Sequence, residues 1–576
     1  MPKIEVNKEY FFSMLKKQYN IEEFENKLTF AKAELDCSKE EYERSPEIKI
    51  ELNDTNRPDL WSARGLARVM NLCDCLASSS RACYDEFLST TESEKDCGQY
   101  VINVSSALQE VRPFIAGFLL KGKKLSAASL DAIIQTQEKL CTNYGKKRQI
   151  LAMGVYRAQL INWPIRYMTE EPSFAFAPLG FDEDMSLSQI LQKHPKGVEY
   201  ASILKGCSNY PILKDAKGEV LSFPPIINSQ KIGAVEEGDD FLFVEFTGTQ
   251  KNAVLLACNI VSCDAADAGW QVLPVRVKGE SNIGSCNCVS PSYFQKPVKA
   301  KLSYINRLLG SSFSLKEVIL ALEKMDSYSR IVDEDEIEVV IAPYRNDYLH
   351  PCDIAEDVMI ASGLSSFEAI SPQDFTIGRL LPCTQLARKV KKLLVGMGYE
   401  ELIFNYLGSG DEYITKMRGK ADNVLELVNP ISESYQFVRP SILPSLLASE
   451  AASQTASYPH KIFEIGKIAY VEPAAENGCA TVNSLCFLTA AASCSYNSIA
   501  SELASLLYYL GLEYEVEEVT DERFIEGRCA LIKQKGAKLG IAGEISPLVL
   551  KNWQINMPCV AVEINLDAVM VAKKSE

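Results

Sequence analysis

Residues 48–70 read IKIELNDTNRPDLWSARGLARVM, and inside this stretch the apolar period changes from two to about 3.6. Ile48 to Leu52 alternate apolar and charged side chains, as a half-buried strand does. Asn53, Asp54, Asn56 and Pro58 break the alternation. Leu60, Ala63, Leu66, Ala67 and Met70 then recur at helical spacing. Helices lie among short strands along the rest of the chain too, so the expected fold class is α+β and multidomain.

With 576 residues and roughly 150 per domain, about four domains are expected. A composition of 47% hydrophobic and 24% charged residues is that of globular proteins and excludes a disordered or fibrous chain. The net charge of -16 excludes a cationic coat, so nucleic-acid contact must come from local basic patches. KGKK at 121–124, GKKR at 145–148 and RKVKK at 388–392 are modest and read as solvated helix faces. His194, His350 and His460 are far apart, which excludes local histidine metal motifs. Eighteen cysteines include no C-x-x-C pair, and the close pairs Cys73/Cys75 and Cys286/Cys288 fit no zinc framework. Cys258, Cys486 and Cys559 lie in apolar runs and read as reduced core thiols of a cytoplasmic protein. No signal-type segment opens the chain, and no run reaches the ~18 apolar residues of a membrane span. The runs Val254–Val261 and Leu485–Ala492 suit buried strands. No P-loop and no strand-linked G-x-G-x-x-G is present.

Four domains are expected, at 1–95, 96–288, 289–372 and 373–576, with a polar linker at Ser89–Gly98. Strands are expected at Ile102–Ser105, Phe241–Phe246 and Ala253–Val261, and helices at Ser126–Tyr144 and Leu187–Lys193. VLSFPPIIN at 220–228 reads as a rigid extended loop, because proline fixes φ and removes a donor. Ser314 and Glu317 form a capping-box pattern. Leu386, Val390, Leu393 and Met397 make one apolar stripe, and Ile499, Leu503, Leu506, Leu507 and Leu510 another.

Three constellations bear on chemistry. In APYRNDYLHPCDIAEDVMIASGL, Asp347 is expected to end a strand, and Asp353, Glu356 and Asp357 to share one side of a helix. Oxygen donors of this kind suit magnesium, and carboxylates also favour a helix N-terminus for its dipole alone. In FLFVEFTGT, period two puts Phe243, Glu245 and Thr247 on one face and Leu242, Val244 and Phe246 on the other. With Ser222 nearby, that face reads either as a small-molecule pocket or as a solvated edge strand. In NRPDL, Arg57 and Asp59 read as a capping loop near a helix start or as a subunit or domain contact.

Together these segments resemble the beta subunits of phenylalanine–tRNA ligases, of the shorter archaeal and eukaryotic type. The resemblance covers nearly the whole chain and rests on motifs in the family's order. They are IKIELNDTNRPDLWSARGLAR, YPILKDAKGEVLSFPPIIN, FLFVEFTGT, APYRNDYLHPCDIAEDVMIASG, FVRPSILPSLL, KIFEIGKI and GEISPLVLKNWQINMPCVAVEINL. It implies an N-terminal α/β module, a mixed α/β editing domain, a small domain with the acidic motif and a catalytically degenerate class II synthetase-like sheet. FVRPSILP then looks like the remnant of a nucleotide-binding motif around Arg439.

The same resemblance implies an (alpha–beta)2 heterotetramer that attaches phenylalanine to tRNA(Phe) with ATP bound mainly by the alpha subunit, this chain alone being incompetent for that step. It places magnesium, shared with the alpha subunit, on Asp347, Asp353, Glu356 and Asp357. It places an editing pocket for tyrosyl-tRNA(Phe) at Leu213, Ser222, Glu245 and Thr247. There Leu213 is the wall, Ser222 and Thr247 orient the ester or a water, and Glu245 accepts the phenolic proton. The family usually has Asp where Glu245 stands, and SQKIGAVEEGDD lacks the threonines expected before this strand. The added nucleic-acid-binding domains of longer bacterial beta chains are not expected. Two further readings remain open: a scaffold subunit that has lost editing, and an unrelated magnesium-dependent hydrolase active without a partner.

Overall fold

Alternation in the first strands is a burial pattern. Ile4 and Val6 of strand Lys3–Asn7 and Ile48, Ile50 and Leu52 of strand Glu47–Leu52 are buried, whereas the residues between them are not. The computed structural model describes residues 3–53, 56–74, 84–88, 97–279, 288–453 and 455–574. Asp54, Cys75, Cys286 and residues 89–96 of the expected linker lie outside them. Glu47–Leu52 pairs antiparallel with Lys3–Asn7 on one edge and Ala33–Leu35 on the other. Leu66, Ala67 and Met70 of helix Ala63–Cys73 pack on this small sheet. Ser62, not Asp59, caps the helix by accepting the Gly65 N–H at 2.9 Å. Asp59 is turned back onto Arg57, in bonds of 2.9 and 2.8 Å.

Among the described residues, a ten-stranded mixed sheet follows. Its path runs Ile227–Asn228, Val220–Phe223, Tyr210–Lys214, Ile165–Glu170, Val101–Val104, Gln271–Gly279, Phe114–Lys121, Phe241–Gly248, Leu151–Arg157, with Cys288–Ser290 beside Gln271–Gly279. VLSFPPIIN is a hairpin here: Ser222 pairs with Asn228 and Phe223 with Ile227 across the two prolines. Leu187–Lys193 is helical as expected, and Ala127–Lys139 takes most of the expected Ser126–Tyr144 helix. The strand expected at Ala253–Val261 is instead part of the 17-residue helix Lys251–Asp267, in which Ala253 to Ala265 are all buried. An unbroken apolar run has no period of its own, so burial on every side hides helix from strand. Arg68 joins this helix to Ala63–Cys73, reaching Asp264 and Asp267 at 2.6 Å each.

Val298–Lys301, Glu336–Val340 and Tyr328–Ile331 form a third sheet, packed by helices Leu302–Leu309, Leu315–Lys324 and Pro351–Ser362. Ser314 and Glu317 cap the second of these reciprocally. All three sheets lie in one compact unit, Met1–Ile370; Ser371–Glu576 forms a second. The second unit holds a seven-stranded sheet, Glu400–Glu401, His460–Val471, Cys479–Ala490, Cys559–Asn565, Ala537–Ile545, Phe524–Gln534, Glu515–Glu518. Its inner pairs are antiparallel. Phe463, Leu485 and Phe487 meet helices Pro382–Gly396 and Tyr496–Leu510 on one face, and Ile462, Cys486 and Leu488 meet Leu443–Ala452 on the other. The buried residues of Tyr496–Leu510 are the five of the expected stripe. In Pro382–Gly396, Leu394 takes the fully buried place that the spacing gave to Leu393. The described residues contain no helix long and apolar enough to cross a membrane.

Candidate functional site

Strand Phe241–Gly248 runs between Phe114–Lys121 and Leu151–Arg157, and its register sets Glu245 opposite Gly117 on one side and Gly154 on the other. A Cβ at residue 154 would fall 2.1 Å from the Tyr156 hydroxyl and 2.8 Å from Glu245 Oε1. The glycine therefore leaves the room in which those two groups meet, and Tyr156 donates its hydroxyl to Glu245 Oε1 at 2.9 Å. Glu245 Oε2 is buried with no hydrogen-bond partner. Burial pushes the Glu245 carboxyl up to about 7, against the opposing pull of the Tyr156 hydroxyl and the Arg112 charge.

Ser222 comes to the same place from strand Val220–Phe223, and its buried Oγ makes no well-formed hydrogen bond; burial and the Glu245 charge raise the Tyr156 phenol well above its ordinary pKa, and the nearby Ser222 hydroxyl opposes that rise only in part. Glu245 and Ser222 both line a cavity of about 590 Å3, with Met153, Tyr200 and Arg148 among its walls. That volume suits a small-molecule group, and the mix of apolar wall and few polar atoms is that of a binding pocket. The alternative of a solvated edge strand is excluded, because both faces of Phe241–Gly248 are buried.

The other two expected pocket residues do not line the cavity. Leu213 is fully buried in a core with Phe243, Leu221 and Tyr156. Thr247 is also fully buried, its Oγ1 accepting from Arg112 Nε at 3.1 Å and its carbonyl from Arg112 Nη2 at 2.7 Å. Arg112 itself is 1% exposed, and desolvation lowers its pKa. Its Nη1 donates to the carbonyls of Arg148 and Gln149 at 3.2 and 3.4 Å, so one guanidinium ties the turn around residue 148 to the Glu245 strand. Lys146, Lys147 and Arg148 have φ of 48°, 52° and 66°, a left-handed run that costs about 1–2 kcal/mol per residue. Arg148 donates to the Pro225 and Ile226 carbonyls at 3.0 and 2.9 Å and stacks 4.4 Å from the Tyr200 ring centre. GKKR is thus a hydrogen-bonded turn at the cavity wall and not a helix face. Sequence reasoning missed Tyr156, Arg112 and Arg148. Gly154 and Gly117, inside the two strands that flank Glu245, signal the place, since a glycine inside a strand marks close approach of another group.

The acidic constellation is arranged differently from its expectation. Asp347 lies in the loop after Glu336–Val340, not at the strand end. Arg345, 1% exposed, sits between Asp347 and Asp357: it bonds the first at 3.0 and 2.6 Å and the second at 2.7 and 3.2 Å. Tyr348 also donates to Asp357. Asp353 Oδ2 accepts the N–H groups of Leu349 and His350, at 2.7 Å each, and so caps the helix. Glu356 pairs with Lys32 at 2.7 Å. Burial alone would raise the Asp347 carboxyl, but Arg345 and then Arg57 bring it down to about 2. Among the described residues no group of three or more His, Cys, Asp or Glu side chains is placed to hold a metal ion. As arranged, the four acids do not fit magnesium, because a cation already stands between the two buried ones.

In the second unit, Arg439 is fully buried and pairs with Glu464 at 2.8 Å, with Nε on the Lys467 carbonyl at 2.9 Å. Nη1 and Nε are thus taken up within the unit, and Nη2 is buried without a hydrogen-bond partner. Arg57 and Asp59, the third constellation, are buried together, and Arg57 comes within 3.9 Å of Asp347 inside the first unit.

Residues 369–566 match the family described as phenylalanyl tRNA synthetase beta chain CLM domain, and residues 298–364 match the tRNA synthetase B5 domain. Both matched segments are of aminoacyl-tRNA synthetase type. The phenylalanine–tRNA ligase beta subunit of Borrelia recurrentis is 42% identical over 571 residues, covering 99% of this chain and 100% of the relative. That of Treponema pallidum subsp. pallidum is 44% identical over 605 residues, with 99% and 100% covered. The crystal structure of an N-terminal fragment of the phenylalanyl-tRNA synthetase beta subunit from Pyrococcus horikoshii superposes with a TM-score of 0.57 at 34% identity, covering 63% of this chain and 100% of the fragment. The chain belongs to the phenylalanine–tRNA ligase beta-subunit family.

Proposed function

We propose that this chain joins an alpha subunit in a cytoplasmic (alpha–beta)2 ligase that attaches phenylalanine to tRNA(Phe), and that its 590 Å3 cavity hydrolyses tyrosyl-tRNA(Phe) made in error. The observation that carries the editing reading is Glu245 Oε2, a buried acceptor without a partner on a cavity wall. Tyrosine differs from phenylalanine by one hydroxyl, and an apolar synthetic pocket rejects that addition poorly. A second pocket that offers the hydroxyl an acceptor selects tyrosine, since phenylalanine leaves the acceptor unpaired. Glu245 takes the phenolic hydroxyl, and Ser222 orients the ester or the attacking water. Water oxygen bonds to the ester carbonyl carbon, the bond to the ribose oxygen breaks, and that oxygen leaves with a proton. Leu213 and Thr247 support this wall from behind.

The commitment of Arg439 to Glu464 supports the reading that amino-acid activation, and ATP, belong to the alpha subunit. Ile403, Val428 and Ile431, between 86% and 99% exposed, are apolar groups that a partner chain would cover. The division of the first unit at 95 and 288 rests on the motif order alone, and kinship with the shorter archaeal type on that order and on the likeness to the Pyrococcus horikoshii fragment. Asp347, Asp353, Glu356 and Asp357 are assigned a structural role, and no step passes through a metal there.

Deacylation tests the editing reading. The complex should release tyrosine from tyrosyl-tRNA(Phe) faster than phenylalanine from phenylalanyl-tRNA(Phe). Glu245→Ala should lower the first rate by at least about tenfold, the loss expected for a hydrogen bond to a charged group. An unchanged rate would leave the chain as a scaffold.

A further inference from the structure

The two oxygens of Glu245 have different surroundings. Oε1 accepts from Tyr156 at 2.9 Å, and Oε2 has no partner. Tyr156 is fully buried and stands behind the cavity wall that Glu245 lines. Its ring stacks on Phe243, with centroids 5.8 Å apart and planes at 26°, so packing fixes the hydroxyl before any ligand arrives. Phe243 precedes Glu245 by two residues on the same strand, and Gly154 on the neighbouring strand leaves the space where phenol and carboxylate meet. The last torsion of a free glutamate is broad, because it joins an sp3 to an sp2 carbon. A carboxylate free to turn offers either oxygen to a ligand, and one held by a buried phenol offers one.

We propose that Tyr156 is a positioning residue that fixes the Glu245 carboxylate, so that Oε2 alone is presented to the phenolic hydroxyl of a tyrosyl ester. The inference rests on the editing reading of the cavity. Orientation of this kind supplies specificity, since a hydroxyl meets a fixed acceptor and a bare phenyl ring meets an unpaired one.

The test is deacylation by the complex carrying Tyr156→Phe, which keeps the ring and its stacking and removes only the donor. The expected result is a KM for tyrosyl-tRNA(Phe) raised by roughly tenfold, with release of phenylalanine from phenylalanyl-tRNA(Phe) unchanged. The acid-side limb of the tyrosyl rate should also move to higher pH, because the lost bond favoured ionised Glu245. Gly154→Ala, which wedges a methyl group between the partners, should move the limb the same way. A variant that slows both substrates alike and leaves the limb in place overturns the role of Tyr156 and leaves the editing reading standing. A wild-type complex that does not prefer the tyrosyl ester overturns both.

Discussion

Glu245 is a carboxyl with a raised pKa, and the sign of its effect on stability follows. The folded value of about 7 exceeds the ordinary 4.5, so the folded chain holds the proton more tightly than the unfolded chain. Its contribution to stability is fully present below pH 4.5 and is lost as the pH rises through 7. Glu245→Gln cannot ionise and escapes that loss. The variant should therefore gain on wild type between pH 5 and pH 8, by roughly 2 kcal/mol in urea denaturation. A gap that stays flat with pH would show that Glu245 is not desolvated. At this scale the sequence was informative about identity and less so about company. Period two brought out Glu245, and the double proline drew attention to Ser222. The hydroxyl that holds Glu245 comes from a different strand, and nothing local to either residue records that pairing.

At the scale of elements, helix Pro351–Ser362 and the loop before it are joined by Arg345. Its guanidinium faces Asp347 and Asp357, which are nearly as buried as itself. Removing one partner of a buried ionic group leaves the other charges uncompensated, at a cost of about 3–5 kcal/mol. Arg345→Met should lower the stability of the chain by that amount at pH 7, read from the denaturation midpoint. The Asp347 share of this stability is present above pH 3.8 and lost as the pH falls through 2. Chelation with EDTA should leave the midpoint unchanged; a drop on chelation would return magnesium to the acidic quartet. The spacing of Asp353, Glu356 and Asp357 on one helix was legible, because i, i+3 and i, i+4 positions are neighbours on any helix. Their partners were not, since Lys32 lies over three hundred residues away in sequence and reaches Glu356 only through the packing of two modules. Helix Lys251–Asp267 shows the same limit. Its apolar run carried no period, and the sheet it covers decided between helix and strand.

At the scale of the molecule, the second unit carries Ile403, Val428 and Ile431 with 86%, 93% and 99% of their surface exposed. Isolated apolar residues are common on surfaces and need no partner by themselves, so the proposed cover by an alpha subunit is tested directly. Ile431→Asp should weaken assembly with the alpha subunit by tenfold or more, about 1.4 kcal/mol, while the melting curve of the chain alone stays within about 0.5 kcal/mol of wild type. Gel filtration of the co-expressed pair, with and without the substitution, checks it; an unaltered elution profile would place the contact elsewhere.

By itself the sequence determined the α+β class, most helices and strands with a clear period, the capping of Leu315–Lys324, and the family through motifs in a fixed order. These are local properties: each depends on side chains a few residues apart, whose spacing is set by the backbone repeat. The tertiary structure decided that Leu213 and Thr247 stand behind the cavity, that Tyr156 holds Glu245 and Arg112 holds Thr247, and that Arg345 stands between two of the four acids. Those outcomes depend on strand order and on which charges share a buried space, and burial makes an unpaired polar group costly enough to select partners from any distance along the chain.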